Sequence, residues 1–186
     1  SVELFSQGYL AKAVAQAVDS IKRIEYIISN ISHKVQNVWI SLSKALKLFI
    51  LVQSKVDMLP IESLVNIFEA CELKNTDTVD TLDEINLENL LSDETQDNTS
   101  IATKFLVLSA KCSLASCEYE NIPRTVRASL WYNLGIAELF AYITLKAENY
   151  RDAAIICYKQ SIKLQSNTTE AWIGLGISCM DVNYRV

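Results

Sequence analysis

The chain has 186 residues, half of them hydrophobic, with 17 basic against 22 acidic side chains for a formal charge of -5, and a single histidine. So apolar a composition supports a sizeable core and excludes wholesale disorder. Four glycines and two prolines exclude a Gly-rich phosphate loop, a dinucleotide fingerprint and a sandwich with frequent tight turns, and the acidic balance argues against a dedicated nucleic-acid binder.

In chain order the apolar period is helical nearly everywhere. Leu10, Val14, Ala17, Ile21, Ile24, Ile28 and Ile31 follow steps of three and four, one stripe of a long helix. Val38, Trp39, Leu42, Leu46, Phe49 and Ile50 make a second stripe. The apolar run Leu48–Val52 is far shorter than the roughly 20 residues of a membrane span. Pro60 is placed in the first turn of a third helix carrying Ile61, Leu64, Val65 and Phe68. Ile101, Phe105, Leu108, Cys112 and Ala115 predict a helix over about 100–118. Pro123 opens another, with Val126, Leu130, Leu134, Ala137 and Ala141 on one face, and two more are predicted at about 149–164 and from about 169 onward.

Residues 72–97 break the pattern. They hold nine acidic residues and one Lys, net -8, which leaves the rest of the chain at +3. Such a block, assigned to 72–100 as a domain feature, is expected to be a solvated, flexible insertion. Leu82, Ile85, Leu87, Leu90 and Leu91 could form one short amphipathic helix inside it, for docking or for shielding a basic face. Five cysteines (Cys71, Cys112, Cys117, Cys157 and Cys179) form no Cys-x-x-Cys pair and sit among apolar residues. They are expected to be reduced and buried.

A repeat organises the rest. Trp131-x-x-Leu134-Gly135 recurs as Trp172-x-x-Leu175-Gly176, and a weaker copy is Trp39-x-x-Leu42-Ser43. Ala154 and Tyr158 add a small residue followed four later by an aromatic. The pattern resembles the tetratricopeptide repeat, a helix-turn-helix unit of about 34 residues. Gly135 and Ala154 would let two antiparallel helices approach, and Trp131 and Leu134 would fill the space between stacked units. Asn167 with Glu170 resembles a capping box. The interval from Trp131 to Trp172 is 41 residues, with the seven extra falling at 139–145. These add about two helical turns without rotating the apolar face much. The fold expected is all-α, an α-solenoid of degenerate, lengthened tetratricopeptide repeats over residues 1–186, clearest at 126–180. The missing initiator Met, and a Trp172 helix followed by no second helix, lead to the expectation that this is a section of a longer solenoid.

The run from Ala154 to Asn167, followed by Ala171-Trp172-Ile-Gly-Leu-Gly, is similar to the tetratricopeptide scaffold subunits of superkiller (Ski) complexes. That resemblance implies a non-catalytic cytoplasmic scaffold, with a possible nuclear pool. It would join a superfamily 2 RNA helicase to a WD40 propeller and serve exosome-dependent 3′-to-5′ mRNA decay.

Other sites were weighed on their chemistry. His33 is the sole imidazole and no Gly-x-Ser-x-Gly elbow exists, so no Ser-His-acid device is expected. Cys112 and Cys117 lie five apart on different helix faces, and Glu118 and Glu120 beside Tyr119 read as an exposed helix end. No metal, cofactor or small-molecule substrate is expected. The alternative to a scaffold is an adaptor that binds an extended peptide in a groove. The family's carboxylate clamp finds only Asn133 in register, since its other positions fall on Tyr132, Ile136, Glu170 and Gly174. Arg124, Arg127 and Trp131 follow helical spacing as a candidate RNA contact, against which stands the repeat's assignment of Trp131 to the core.

Overall fold

The computed structural model describes residues 2–31, 36–71, 97–116 and 122–180. His33, Cys117, the Glu118–Glu120 cluster and nearly all of the acidic block lie outside the described residues. Every regular element among them is helical, so the fold is all-α. In order these are α1 (Val2–Asn30), α2 (Gln36–Leu51), a 3₁₀ turn (Gln53–Met58), α3 (Ile61–Glu69), α4 (Asn98–Ala115), α5 (Arg124–Leu145), α6 (Glu148–Leu164) and α7 (Thr169–Cys179). None is long and apolar enough to cross a membrane. The chain divides into two compact units within α4, between Leu106 and Val107.

In the first unit α1 packs on α2 and α3. Val14, Ala17, Ile21, Ile24 and Ile28 of α1 are buried, as the three-and-four spacing requires. The stripe ends there: Ile31 follows the last helical residue and is 70% exposed. Trp39 of α2, Phe68 of α3 and Phe105 of α4 form a row of rings with centroids 5.6 and 5.4 Å apart, the second pair stacked. Offset rings at such distances add to the burial of their area. Asn66 donates to the Glu25 carboxylate at 2.7 Å, tying α3 to α1.

Pro60 sits one place earlier than the sequence predicts, as the N-cap of α3 and not a first-turn residue. Pro123 opens α5, as its N-cap. Their carbonyls accept the first helical bonds, from Leu64 and Arg127 at 3.1 Å each. Asn98–Ser100, counted with the insertion from sequence, form the first turn of α4. The Asp97 carboxylate accepts the Ser100 N–H at 2.9 Å. Nor is α4 half-exposed as a single stripe would make it, since nearly every residue from Ala102 to Leu114 is buried. Its Thr103 hydroxyl is satisfied locally by the Thr99 carbonyl at 2.7 Å.

In the second unit α5 and α6 are antiparallel, joined only by Lys146 and Ala147, and α7 packs on α6. Two bonds fix the start of α5 against the end of α6. The buried Ser161 hydroxyl donates to the Ala128 carbonyl at 2.8 Å, and Arg124 donates to the Lys163 carbonyl at 2.9 Å. The seven extra residues continue α5 as one helix of 22 residues. It stops at Lys146, whose φ of 59° is left-handed and whose N–H returns to the Tyr142 carbonyl at 2.9 Å. This is a glycine-type terminus carrying a side chain.

Two predictions follow from these ends. Lys146→Gly relieves the left-handed strain at a smaller entropic cost and should stabilise the chain by about 0.5–1 kcal/mol in urea titration. Asp97→Ala should cost about 1 kcal/mol at neutral pH through loss of the cap. The bonds from Ser100 hold the Asp97 carboxyl below its usual pKa. A depressed carboxylate pKa stabilises above its unfolded value, so the difference between wild type and Asp97→Ala should shrink as pH falls through the folded value.

Candidate functional site

Tyr158 of α6 is the centre of the second unit. Its ring is buried and lies between two helices at positions with no side chain. A Cβ on Gly135 of α5 would sit 2.8 Å from the ring, and one on Gly174 of α7 would sit 2.5 Å from it. Neither position accommodates even an alanine unless the ring moves. Ala154, one turn earlier on α6, is fully buried, and Tyr132 of α5 meets the Tyr158 ring at 6.0 Å between centroids. Burial, chiefly, raises the Tyr158 phenol's pKa.

The three Trp-x-x-Leu copies occupy different surroundings. Trp39 and Leu42 are buried in the first unit, with Ser43 half-buried. Trp131 is half-buried, with Leu134 and Gly135 buried. Trp172 is 53% exposed, and its indole N–H donates to the Ser166 carbonyl at 2.9 Å. Leu175 is half-buried, and a Cβ on Gly176 would meet nothing within 4 Å. Gly174, taken from sequence only as a clamp position, is thus the α7 glycine that the tyrosine needs, and Gly176 is open. The capping box is absent too: α7 starts at Thr169 with Thr168 as N-cap and no side-chain cap bond, so Glu170 falls one place early.

Sequence reasoning missed a buried ionic group. Glu138 and Lys111 are 1% and 6% exposed, and both act electrostatically on the fully buried Cys157. Burial, then the Glu138 charge, push the Cys157 thiol far up, against the opposing pull of Lys111. Burial alone pushes Cys71 up to about 12. Both stay neutral thiols rather than nucleophiles. Cys179 is a correction, exposed where burial was expected. The signal for Glu138 was its place one turn after Leu134, on the buried face.

On the outer part of α5, Ile143 is 44% exposed, with Tyr132 and Ile136 half-buried on the same side of the helix. The adjoining α7 presents Glu170, Ile173 and Ile177, with Met180 at its cap, and Ile173 and Met180 are more than half exposed. The two helices touch. Their nearness also shows in the Tyr132 phenol, which burial and then the Glu170 charge raise. This arrangement holds no carboxylate clamp, because the Gly174 position is filled by the Tyr158 ring and Glu170 is acidic. The candidate RNA contact is weakened as well, since Arg124 is engaged with the Lys163 carbonyl.

The glycine slot makes a sharp prediction. Gly135→Ala and Gly174→Ala should each destabilise by about 1–3 kcal/mol through overpacking against Tyr158. Gly176→Ala, into open space, should be neutral or stabilising by up to about 1 kcal/mol through helix propensity. Thermal melts of the three variants check the contrast.

The chain matches no protein-family model. It is 54% identical over all 186 of its residues to Superkiller protein 3 of Saccharomyces cerevisiae, of which it spans 13%. The all-α helix pairs, the Trp-x-x-Leu-Gly spacing and identity at this level place the chain, along its whole length, as a relative of a segment of Superkiller protein 3.

Proposed function

We propose that the chain is a section of a longer, non-catalytic helical-repeat scaffold that holds a superfamily 2 RNA helicase and a WD40 propeller together for exosome-dependent 3′-to-5′ decay of cytoplasmic mRNA. The observation that carries this reading is the end-to-end identity with Superkiller protein 3. The outer side of α7 supports the view of a section: Trp172, Ile173 and Met180 are each more than half exposed. Stacked repeats bury each other's apolar faces, so a helix of this character fits an interior position. The repeat residues Trp39, Leu42, Ser43, Trp131, Leu134, Gly135, Ala154, Tyr158, Trp172, Leu175 and Gly176 then serve the architecture, and partners meet the outer surfaces.

The test is retention of purified helicase and WD40 subunits on the immobilised chain, alone and extended by the native residues that follow it. Stoichiometric retention of either subunit, together with a higher melting temperature on extension, is the expected result. If neither form retains a subunit and extension adds no stability, the scaffold reading fails. A second reading, an adaptor surface on α5 and α7, is favoured by one observation: the two helices touch, and each exposes an isoleucine, Ile143 and Ile173.

A further inference from the structure

We propose that the open end of the α5–α6 pair, where α5 begins and α6 ends, takes an acidic segment of a partner protein that carries carboxylates beside aliphatic side chains. The proposal rests on the scaffold reading and names a partner-facing surface and the chemistry it accepts.

Charge is distributed unevenly along this pair. At the closed end Arg151 meets Glu148 at 2.7 Å and Asp152 at 3.5 Å, so these charges are balanced internally. The open end carries Arg124 and Arg127 in the first turn of α5, and Lys159 and Lys163 in the last two turns of α6. No Asp or Glu occurs from 123 to 136 or from 153 to 169. All four cations are exposed, and among the described residues none of them is ion-paired.

Two bonds bring these cations to one end of the pair. Arg124 donates to the Lys163 carbonyl at 2.9 Å, and Ser161 donates to the carbonyl of Ala128, next to Arg127, at 2.8 Å. Like charges gathered on a fixed frame repel one another, and a ligand of opposite sign relieves that repulsion. Each helix also exposes an aliphatic residue beside its cations. Val126 precedes Arg127 and is 36% exposed, and Ile156, one turn before Lys159 on the same side of α6, is 42% exposed.

Two anions can be compared on their chemistry. Single-stranded RNA gains most by stacking its bases on aromatic side chains, and the exposed apolar neighbours of these cations are aliphatic. A polyanion longer than the patch would also run on over a chain of net charge -5. An acidic protein segment offers carboxylates to the guanidinium and ammonium groups. Its apolar residues can cover Val126 and Ile156, which phosphates cannot do.

The experiment uses the 186-residue chain and labelled probes in fluorescence anisotropy. The first probe is a peptide of repeated Glu-Glu-Leu triplets. The others are its Lys-Lys-Leu and Glu-Glu-Ser counterparts and an oligouridylate. The Glu-Glu-Leu peptide is expected to bind at least about tenfold more tightly than the lysine peptide and the oligouridylate. It should bind about threefold or more tighter than the serine peptide, through the aliphatic contacts. Arg127→Glu on α5 and Lys159→Glu on α6, each checked for native circular dichroism, should each weaken it by about tenfold or more. Lys12→Glu on α1, an equal change in net charge at an exposed position, should leave it intact. Absence of binding, or an effect from only one of the two helices, overturns the proposal, as does an equal effect of Lys12→Glu. An oligouridylate that binds as tightly makes this a phosphate site and overturns the protein partner. Binding that emerges only when residues 75–96 are replaced by a Gly/Ser linker makes the chain's own acidic block the occupant, with the same consequence. The scaffold reading is separated by retention of the purified subunits. If the Arg127→Glu, Lys159→Glu double variant retains them as well as the unaltered chain does, that reading stands and this proposal falls. A chain that binds the acidic peptide but retains no subunit loses the scaffold reading and keeps the site.

Discussion

The second unit depends on one tyrosine ring placed where two neighbouring helices have no side chain. Tyr158 reaches from α6 to Gly135 on one side and to Gly174 on the other, so one side chain sets the spacing of three helices. Helices pack closest where small residues meet, and an aromatic ring opposite a glycine turns that closeness into a specific fit. Other contacts of the unit are consistent with it. The Ser161–Ala128 and Arg124–Lys163 bonds hold one end of the α5–α6 pair, while the ring holds its middle. A register shift on either neighbour would put a side chain where the ring lies.

The polar content of this interior follows a related logic. Glu138, Lys111 and Cys157 are all buried and electrostatically coupled. Buried charges are costly unless compensated. Lys111 on α4 and Glu138 on α5 both act on the thiol of α6, in opposite directions. The tyrosine and the charges therefore share α5 and α6, and each adds one further neighbour, α7 for the ring and α4 for the charges.

Much of this was legible in the sequence because helical periodicity is written in apolar residues. The stripe from Val14 to Ile28, the second stripe around Trp39 and Leu42, and the helix carrying Leu130, Leu134, Ala137 and Ala141 are buried where spacing put them. What failed was set by neighbours. Val126, on the predicted face of α5, lies in its first turn and is 36% exposed. Ile31 and Cys179 lie at helix ends and are exposed. The near-complete burial of α4 could not be read from its own stripe, since it depends on what surrounds a helix. At the candidate site, the repeat spacing pointed to Gly135 and Tyr158. It pointed to Gly176 rather than Gly174 because a motif records position within one unit, whereas Gly174 matters through the tyrosine of the unit before it.

The lengthening of α5 shows how such a repeat gains surface without losing its core. Seven residues are close to two full turns, so the buried face continues through the insertion with little rotation. Ala141, inside the added stretch, is fully buried in line with Leu134 and Ala137. By the same phase the opposite side continues too, from half-buried Tyr132 and Ile136 to exposed Ile143. An insertion of three or four residues would also end near a whole turn but would turn the stripe by tens of degrees. Two added turns extend the inner contact and the outer surface together, and the left-handed Lys146 closes the helix immediately afterwards. The departure from the usual repeat length thus lengthens both sides of the helix that also supplies Gly135 to the tyrosine.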